Sequence, residues 1–520
     1  MTQKGIIAAG HPSTVGAAET ILQAGGNAFD AVLAAQFAAC VVEPVFTSLG
    51  GGGFLLAHTD TDHDFLYDFF TQTPLLRRDS EMMDFYPINA DFGTTTQEFH
   101  IGMSSIATPG IVKGLFKIHR ELCTLPIKEI IEPAVAFARH GVKMNQLQAY
   151  SFVVLEKILR STPAALAIYR NPNSDQLLTE GECLKQPDLA DALDSLADEG
   201  DSLFYRGDLA KQIVKDCRER GDNITENDLH KYRVMRRKPL TFSYHNSRVL
   251  TNPPPSSGGV LIAFTLKLLE QLNVSTLEFG TTAYLRLLAR TMESAQRVRK
   301  SIVDDHTVEE YPKARKLLGS RLLHAYRTAI LEHTSSTRGT THISVIDAKG
   351  NMASMTTSNG EGSGYIIPNT GIMLNNMLGE EDINPRGFHR GAPGRRLSSM
   401  LSPTLMFGAD GSNVAMGSGG SNRIRTAMLQ VLLNLIDFGM PVKTAVDSPR
   451  IHFENGLLSI EGGFELDELA ELTAEFPNHK LWQDHNLFFG GVHVAQRNAA
   501  DKSFTGAGDP RRGGISLRVG

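Results

Sequence analysis

Hydrophobic and polar positions change period several times along the chain, and each change marks an element. Between Ala28 and Val42 apolar residues fall on every side of a helical wheel, interrupted by Asp30 and Gln36, before Glu43-Pro44 ends the run. Apolar residues all round specify a helix enclosed by other elements. Its Ala31–Val42 stretch is too short to span a bilayer, which takes about 20 residues. Helical spacing also marks Thr14–Gln23, Gly110–Arg120 just after Pro109, Thr282–Ile302 and Arg425–Ile436. Alternation with a period of two marks Thr341–Asp347 and Met352–Ser358, and Gly53–Ala57 and Asn413–Met416 read as short strand-like pieces. Helices interleaved with strands, with no internal repeat or low-complexity linker, predict α/β or α+β layering in one interleaved domain.

Two of these strands predict a hairpin. Thr341–Asp347 and Met352–Ser358 flank Asp347-Ala-Lys-Gly-Asn351, rich in residues that hairpin loops favour. A three-residue loop places Thr340 opposite Ser358, whereas a two-residue loop moves its partner to Thr357. Upstream, Leu331 to Gly339 reads as a loop, so the hairpin begins at a loop-to-strand junction marked by Thr340-Thr341. An isolated Thr-Thr pair most simply opens a strand, since β-branched residues favour strands. Here it also fits a cut site. A threonine hydroxyl needs an adjacent base to act as a nucleophile, and a Thr at a chain start carries that base in its own α-amine. Such an amine titrates with a reference pKa of about 7.7–8.0. Cleavage after Gly339 would create this residue at position 340.

Glycine-rich segments surround this junction in the expected fold. Ser358-Asn-Gly-Glu-Gly-Ser-Gly364 is polar and flexible and suits a binding wall. Gly417-Ser-Gly-Gly-Ser421 joins a strand to a helix, where backbone N–H groups converge with the positive end of the helix dipole and can hold an oxyanion. Taken alone, that segment is more simply a tight turn. Gly50-Gly-Gly-Gly53 lacks the Gly-Lys-Ser/Thr ending of a phosphate loop and continues as a strand, which predicts close backbone packing behind Thr340.

Together these residues resemble the γ-glutamyltranspeptidases, members of the N-terminal-nucleophile hydrolases. The resemblance runs nearly end to end. Its first marks are Gly25-Gly-Asn-Ala-Phe-Asp-Ala31 and Leu49-Gly-Gly-Gly-Gly-Phe54. The later ones are Thr340-Thr-His-Ile-Ser344, Leu374-Asn-Asn376, Arg396-Leu-Ser-Ser-Met400, Ser402-Pro-Thr404 and Gly417-Ser-Gly-Gly-Ser421. The resemblance implies an α+β fold, a four-layer αββα sandwich, formed from a precursor that cuts itself between Gly339 and Thr340. Residues 1–339 then form a large subunit and residues 340–520 a small one, together one structural domain. The implied activity removes a γ-glutamyl group from glutathione-like donors and passes it to water, an amino acid or a peptide, with no cofactor and no metal.

Carried over by position, the resemblance makes Thr340 the nucleophile of both processing and turnover. Ser358 takes the place of a threonine whose hydroxyl contacts it, and Asn359 that of a substrate-binding asparagine. Ser398 and Ser399 match a serine pair that holds the donor's α-carboxylate, and Glu380 the acidic group for its amino end. Gly420 and Ser421 occupy the oxyanion-donor positions, the second being glycine in better-known members.

Three departures bear on the substrate. Where the family has an arginine that pairs with the glutamyl α-carboxylate, this chain reads Asp68-Phe-Phe-Thr-Gln-Thr-Pro74, with Phe70 at the matching place. A bidentate charge-assisted contact is among the stronger recognition elements, so either the donor differs or Arg77, Arg78 or Arg396 supplies the charge. Gly379-Glu380 stands where an acidic pair is usual. The span from Asn376 to Leu397 is shorter than in members with a lid, which predicts an open cleft favouring water or bulky acceptors. Two alternatives follow: the same chemistry on another small amide or acyl donor, or an unprocessed binding protein, which needs no such combination of Thr340, facing hydroxyl and glycine loop.

Composition changes this picture little. The 520 residues, 41% hydrophobic and 21% charged with a formal net charge of −6, suit a globular protein with a large core. Basic residues are not clustered, and the densest group, Arg233-Val-Met-Arg-Arg-Lys238, reads as a solvated face, so no nucleic-acid or membrane partner is expected. Cys40, Cys123, Cys183 and Cys217 form no Cys-x-x-Cys pair and imply neither a metal nor a disulfide framework. Met1–Gly10 lacks an apolar signal region, which predicts a cytoplasmic location, or a periplasmic or secreted one if the start is trimmed. Asn252-Pro-Pro-Pro-Ser-Ser-Gly-Gly259 reads either as a surface loop or, by the resemblance, as a turn beside the cleft.

Overall fold

A computed structural model describes residues 3–76, 83–91, 96–272, 274–304, 340–381, 383–384 and 387–520. Gly339 with the loop before it, Arg77 and Arg78 lie outside the described residues. Two antiparallel sheets form the centre. The first has seven strands in the spatial order Ile515–Val519, Gly5–Ala9, Thr341–Asp347, Met352–Ser358, Gly52–His58, Asp64–Phe69 and Met235–Arg237. The second has six, in the order Phe504–Ala507, Gly491–Arg497, Asn413–Gly419, Thr404–Phe407, Ser247–Thr251 and Leu240–Tyr244.

The alternation along Thr341–Asp347 sorts its side chains between two layers. Ile343 and Val345 join the core formed with the helices Pro12–Gln23, Ala28–Val42 and Ile111–Leu122. His342 and Ser344 face the second sheet, where Ser344 Oγ donates to the His493 carbonyl at 3.3 Å. Across the same interface Ser354 Oγ donates to the Met416 carbonyl at 2.9 Å. A Cβ at Gly417 would lie 2.3 Å from the His342 ring, so only glycine lets the sheets close at that point. The helices Gly258–Leu269, Thr282–Asp304 and Arg423–Ile436 cover the far face of the second sheet and share one core with Val249, Leu405, Val414 and Val492. The result is the expected α+β sandwich with layers αββα.

Local chemistry explains the central helix. Asn27 caps Ala28–Val42 in a capping box with Asp30, satisfying N–H groups that a helix start leaves without partners. Asp30 also accepts from the amides of Thr124 and Leu125, which ties the helix start to the next layer. Every residue of this helix is buried, as its all-round apolar pattern requires. The other predicted helices lie within two residues of their expected ends.

The hairpin adopts the three-residue loop. Asp347 N–H donates to the Asn351 carbonyl at 3.1 Å, and Thr341 pairs with Thr357, which sets Thr340 opposite Ser358. Among the described residues no helix is long and apolar enough to cross a membrane.

Candidate active site

Thr340 sits at the mouth of the central strand, 3% exposed, between polar groups drawn from distant parts of the chain. Arg512 donates from Nη1 to the Thr340 carbonyl at 3.1 Å. Glu43, just past the central helix, accepts from the hydroxyls of Thr341 at 2.7 Å and Thr14 at 2.8 Å. Neither Glu43 nor Arg512 was singled out by sequence. Glu43 reads as a helix stop and Arg512 as half of an Arg-Arg pair in a Gly-flanked turn, and nothing local marks either as buried.

Charges this deep persist only with partners. Burial pushes the Arg512 guanidinium down to about 10, opposed by the carboxylates of Glu361, Asp509 and Glu43, so it stays cationic at neutral pH. Burial raises the Glu43 carboxyl, opposed by the Thr341 and Thr14 hydroxyls and by Arg512. The turn carrying Arg512 is itself held by buried ion pairs. Asp509 accepts from Arg450 Nη2 at 2.7 Å and from the amides of Val492 and Arg511, and Arg511 Nε donates to Glu461 at 2.8 Å.

The glycine turn after the Asn413–Gly419 strand closes over the same spot. A Cβ at Gly419 would lie 2.3 Å from the Thr340 carbonyl oxygen, and one at Gly420 would lie 2.9 Å from Gly490 Cα. Gly420 has φ +119 and Ser421 φ +51, a left-handed conformation that a side chain disfavours, which accounts for glycine at this position in better-known members. The helix Arg423–Ile436 begins two residues on. Behind Thr340, Cβ atoms at Gly51 and Gly53 would lie 2.4 and 2.6 Å from the carbonyl oxygens of Ser358 and Thr356, the close packing expected of that glycine run.

The cleft in front of Thr340 is lined by the expected residues Ser358, Glu380, Ser398, Ser399 and Ser421. Ser358 Oγ accepts from the Gly360 amide at 3.0 Å, fixing the start of the polar loop. That loop folds onto Glu380, since a Cβ at Gly360 would lie 2.3 Å from its Oε1. Ser398 Oγ donates to the Pro255 carbonyl at 2.9 Å, and the Ser399 carbonyl accepts from the amides of Ser257 and Gly258. The proline-rich turn is therefore part of the site, and Ser257 lines it. Asn359 is buried outside this lining, its Nδ2 3.5 Å from the Met373 carbonyl.

Phe70 faces the cleft and stacks on Phe54, with ring centroids 5.4 Å apart and planes 14° apart. Met377, Met400, Leu401 and Ile424 extend the apolar wall, and no Lys or Arg joins it among the described residues. Arg396 does not replace the missing arginine. Its guanidinium donates to the carbonyls of Phe70 and Arg233 and to the Tyr232 hydroxyl, lies 3.4 Å from Asp68, and covers the Tyr232 ring at 4.7 Å. The sequence could not show this, because the side chain leaves the cleft for partners far away in the chain. The end of the short Asn376–Leu397 span forms a wall of the site: Leu397 N–H donates to the Thr71 carbonyl at 3.1 Å and Thr73 N–H to that of Arg395 at 2.9 Å.

Interlaced strands under two helical layers, with a threonine at a strand mouth facing a glycine turn, define an N-terminal-nucleophile hydrolase. The fold matches the crystal structure of cephalosporin acylase from Bacillus halodurans with a TM-score of 0.84, over 99% of this chain and 96% of that one, at 23% identity. Residues 14–519 match the γ-glutamyltranspeptidase family, to which this chain belongs. It is 28% identical over 547 residues to the glutathione hydrolase proenzyme of Bacillus subtilis (strain 168), covering 99% of this chain and 91% of that protein. It is 31% identical over 531 residues to the acylase ACY 1 proenzyme of Pseudomonas sp. (strain V22), covering 99% and 94%.

Proposed function

We propose that the protein is a self-processing amide hydrolase and acyl transferase that removes γ-glutamyl groups from glutathione-like donors through an ester on Thr340. The observation that carries this reading is the convergence of Arg512, the Gly419–Ser421 turn and Ser358 on Thr340. In maturation the Thr340 hydroxyl attacks the Gly339 carbonyl, and the C–N bond before Thr340 breaks as an ester forms. Water then hydrolyses the ester, leaving residues 1–339 and 340–520 folded together. In turnover the freed α-amine takes the hydroxyl proton as the oxygen attacks the donor carbonyl. The amides of Gly420 and Ser421 stabilise the tetrahedral oxyanion, the donor's amine leaves with the proton, and water or an amino acid releases the acyl group. Ser398, Ser399 and Glu380, which line the cleft, orient the acyl group, while Asn359 holds the loop behind them. Hydrolysis prevails over transfer.

A second reading, the same chemistry on another acyl donor, is favoured by one observation: the wall that meets the acyl group carries Phe70 in place of a guanidinium. The acylase relative points the same way. A panel of γ-glutamyl and other acyl anilides separates the two by their kcat/KM ratio.

The denatured intact mass tests the common core. Two fragments that break between Gly339 and Thr340 are expected from the native chain, and one inactive full-length species from Thr340→Ala. A Thr340→Ala protein that cuts itself and turns over would overturn the assignment.

A further inference from the structure

We infer that the acyl side of the cleft continues into a second subsite, built around Asn223, that takes the far end of an acyl group longer than glutamyl. The inference rests on the Thr340 reading above. A separate cavity of about 490 Å³, its open mouth included, is lined by Thr73, Pro74, Asn223, Leu378, Asn384 and Pro393. Four stretches of chain serve both cavities. Phe70 lines the cleft and Thr73-Pro74 the second cavity, Ser398 the cleft and Pro393 the second, while Met377 gives way to Leu378 and Ile383 to Asn384. The first two stretches run antiparallel and are bonded to each other between the cavities. At about 3.3 Å per residue, the second cavity begins roughly 10–13 Å beyond Phe70.

Asn223, with the His389 imidazole beside it in the lining, gives the second cavity its chemistry. The residue is 5% exposed, and its Oδ1 is buried with no hydrogen-bond partner. Buried side-chain oxygens are nearly always partnered, so this one is an acceptor waiting for an N–H or O–H. The neighbouring amide of Asn384 is already engaged, donating to the Met377 and Glu380 carbonyls at 2.8 Å each, and acts as floor. Pro74, Leu76, Leu378 and Pro393 supply apolar walls. The matching acyl group has an apolar stem that crosses Phe70 and ends in a hydrogen-bond donor such as a primary amide. Glutamyl is the short member of this series and fills only the first cavity.

Anilides of dodecanoic acid ending in a carboxamide or a methyl group, beside γ-glutamyl anilide, test the inference. The carboxamide is expected to exceed the methyl analogue three- to tenfold in kcat/KM, mostly through KM, as one hydrogen bond permits. Asn223→Leu is expected to lower the carboxamide-to-glutamyl ratio by the same factor, and Leu378→Trp to lower it by filling the space. Equal rates for carboxamide and methyl ends, or a ratio unmoved by both substitutions, would overturn the subsite. Calorimetry with the free acid, 12-amino-12-oxododecanoic acid, needs no turnover. Three- to tenfold weaker binding to Asn223→Leu supports the subsite, and equal binding overturns it. If no anilide is cleaved, the Thr340 reading fails while the calorimetry still decides the subsite.

Discussion

The two walls of the cleft are built on opposite terms. The nucleophile wall is polar and held by buried charge: Arg512 on the Thr340 carbonyl, Glu43 on the Thr341 hydroxyl, and the Asp509–Arg450 and Arg511–Glu461 pairs behind them. The acyl wall is largely apolar, with Phe70 stacked on Phe54 beside Met377, Met400 and Ile424, relieved by Ser398, Ser399 and Glu380. Thr340 is held by buried charged partners that depend on one another, whereas the apolar wall is a set of side chains that can be exchanged singly. Chemistry and recognition are thus separable in this fold.

Breaking the nucleophile wall has the largest expected effect. Arg512→Met removes the bond to Thr340 and leaves Glu43 and Glu361 buried without their cation. Stability should fall by about 3–5 kcal/mol and kcat of the remaining folded enzyme by about 10²-fold through misplacement of Thr340, with KM nearly constant and partial recovery in Arg512→Lys. Urea unfolding and steady-state kinetics read the two effects separately. Unchanged kcat per folded molecule would reduce Arg512 to scaffold.

Acid should attack the same wall next. Burial depresses His493 to about 4, and His342, packed against Gly417, lies well below its ordinary value for the same reason. The unfolded imidazole titrates near 6.5, so stability is complete above that pH and is lost between about 6.5 and 4 as the unfolded state takes the proton first. His493 alone contributes about 3 kcal/mol across that window, while Glu43, shifted upward by burial, works in the opposite sense. Hydrogen exchange at pH 4.5 should open Gly491–Arg497 before Asp64–Phe69. A stability profile flat from pH 7 to 4.5 would contradict the buried neutral histidines.

On the acyl wall, Phe70→Arg should sharpen recognition without touching the chemistry. The ratio of kcat/KM for γ-glutamyl over neutral acyl anilides should rise about tenfold, the scale of one charged hydrogen bond. An unmoved ratio would mean that this wall does not read the donor. The smallest effect belongs to Ser421→Gly, which relieves a left-handed side chain at a cost of roughly 1 kcal/mol. It should raise the melting temperature by a degree or two and leave rates within about twofold, since the backbone amide is kept. A tenfold loss would assign work to the Ser421 hydroxyl.

What the sequence revealed follows from the range of the interactions involved. The central helix and the two strands of the hairpin are written in local periodicity, so they were legible, whereas the register stood open between two loop lengths until the bond from Asp347 to Asn351 decided it. Ser398, Ser399 and Glu380 were reached through resemblance, and their facing one cleft follows from the packing of separate segments. Glu43 and Arg512 were not legible, because their partners at Thr341 and Thr340 lie 298 and 172 residues away in the chain. Arg396, one of the alternatives the sequence left open, could not be decided for the same reason: its guanidinium bonds to Tyr232, 164 residues distant. Long-range ion pairs leave no periodic trace.

The strand order has a further consequence. Gly5–Ala9 lies between Thr341–Asp347 and Ile515–Val519, and Met352–Ser358 lies against Gly52–His58. A break before Thr340 therefore opens no seam along which the pieces could part. A chain cut there would be expected to melt in one event, since each piece supplies strands to the sheet of the other.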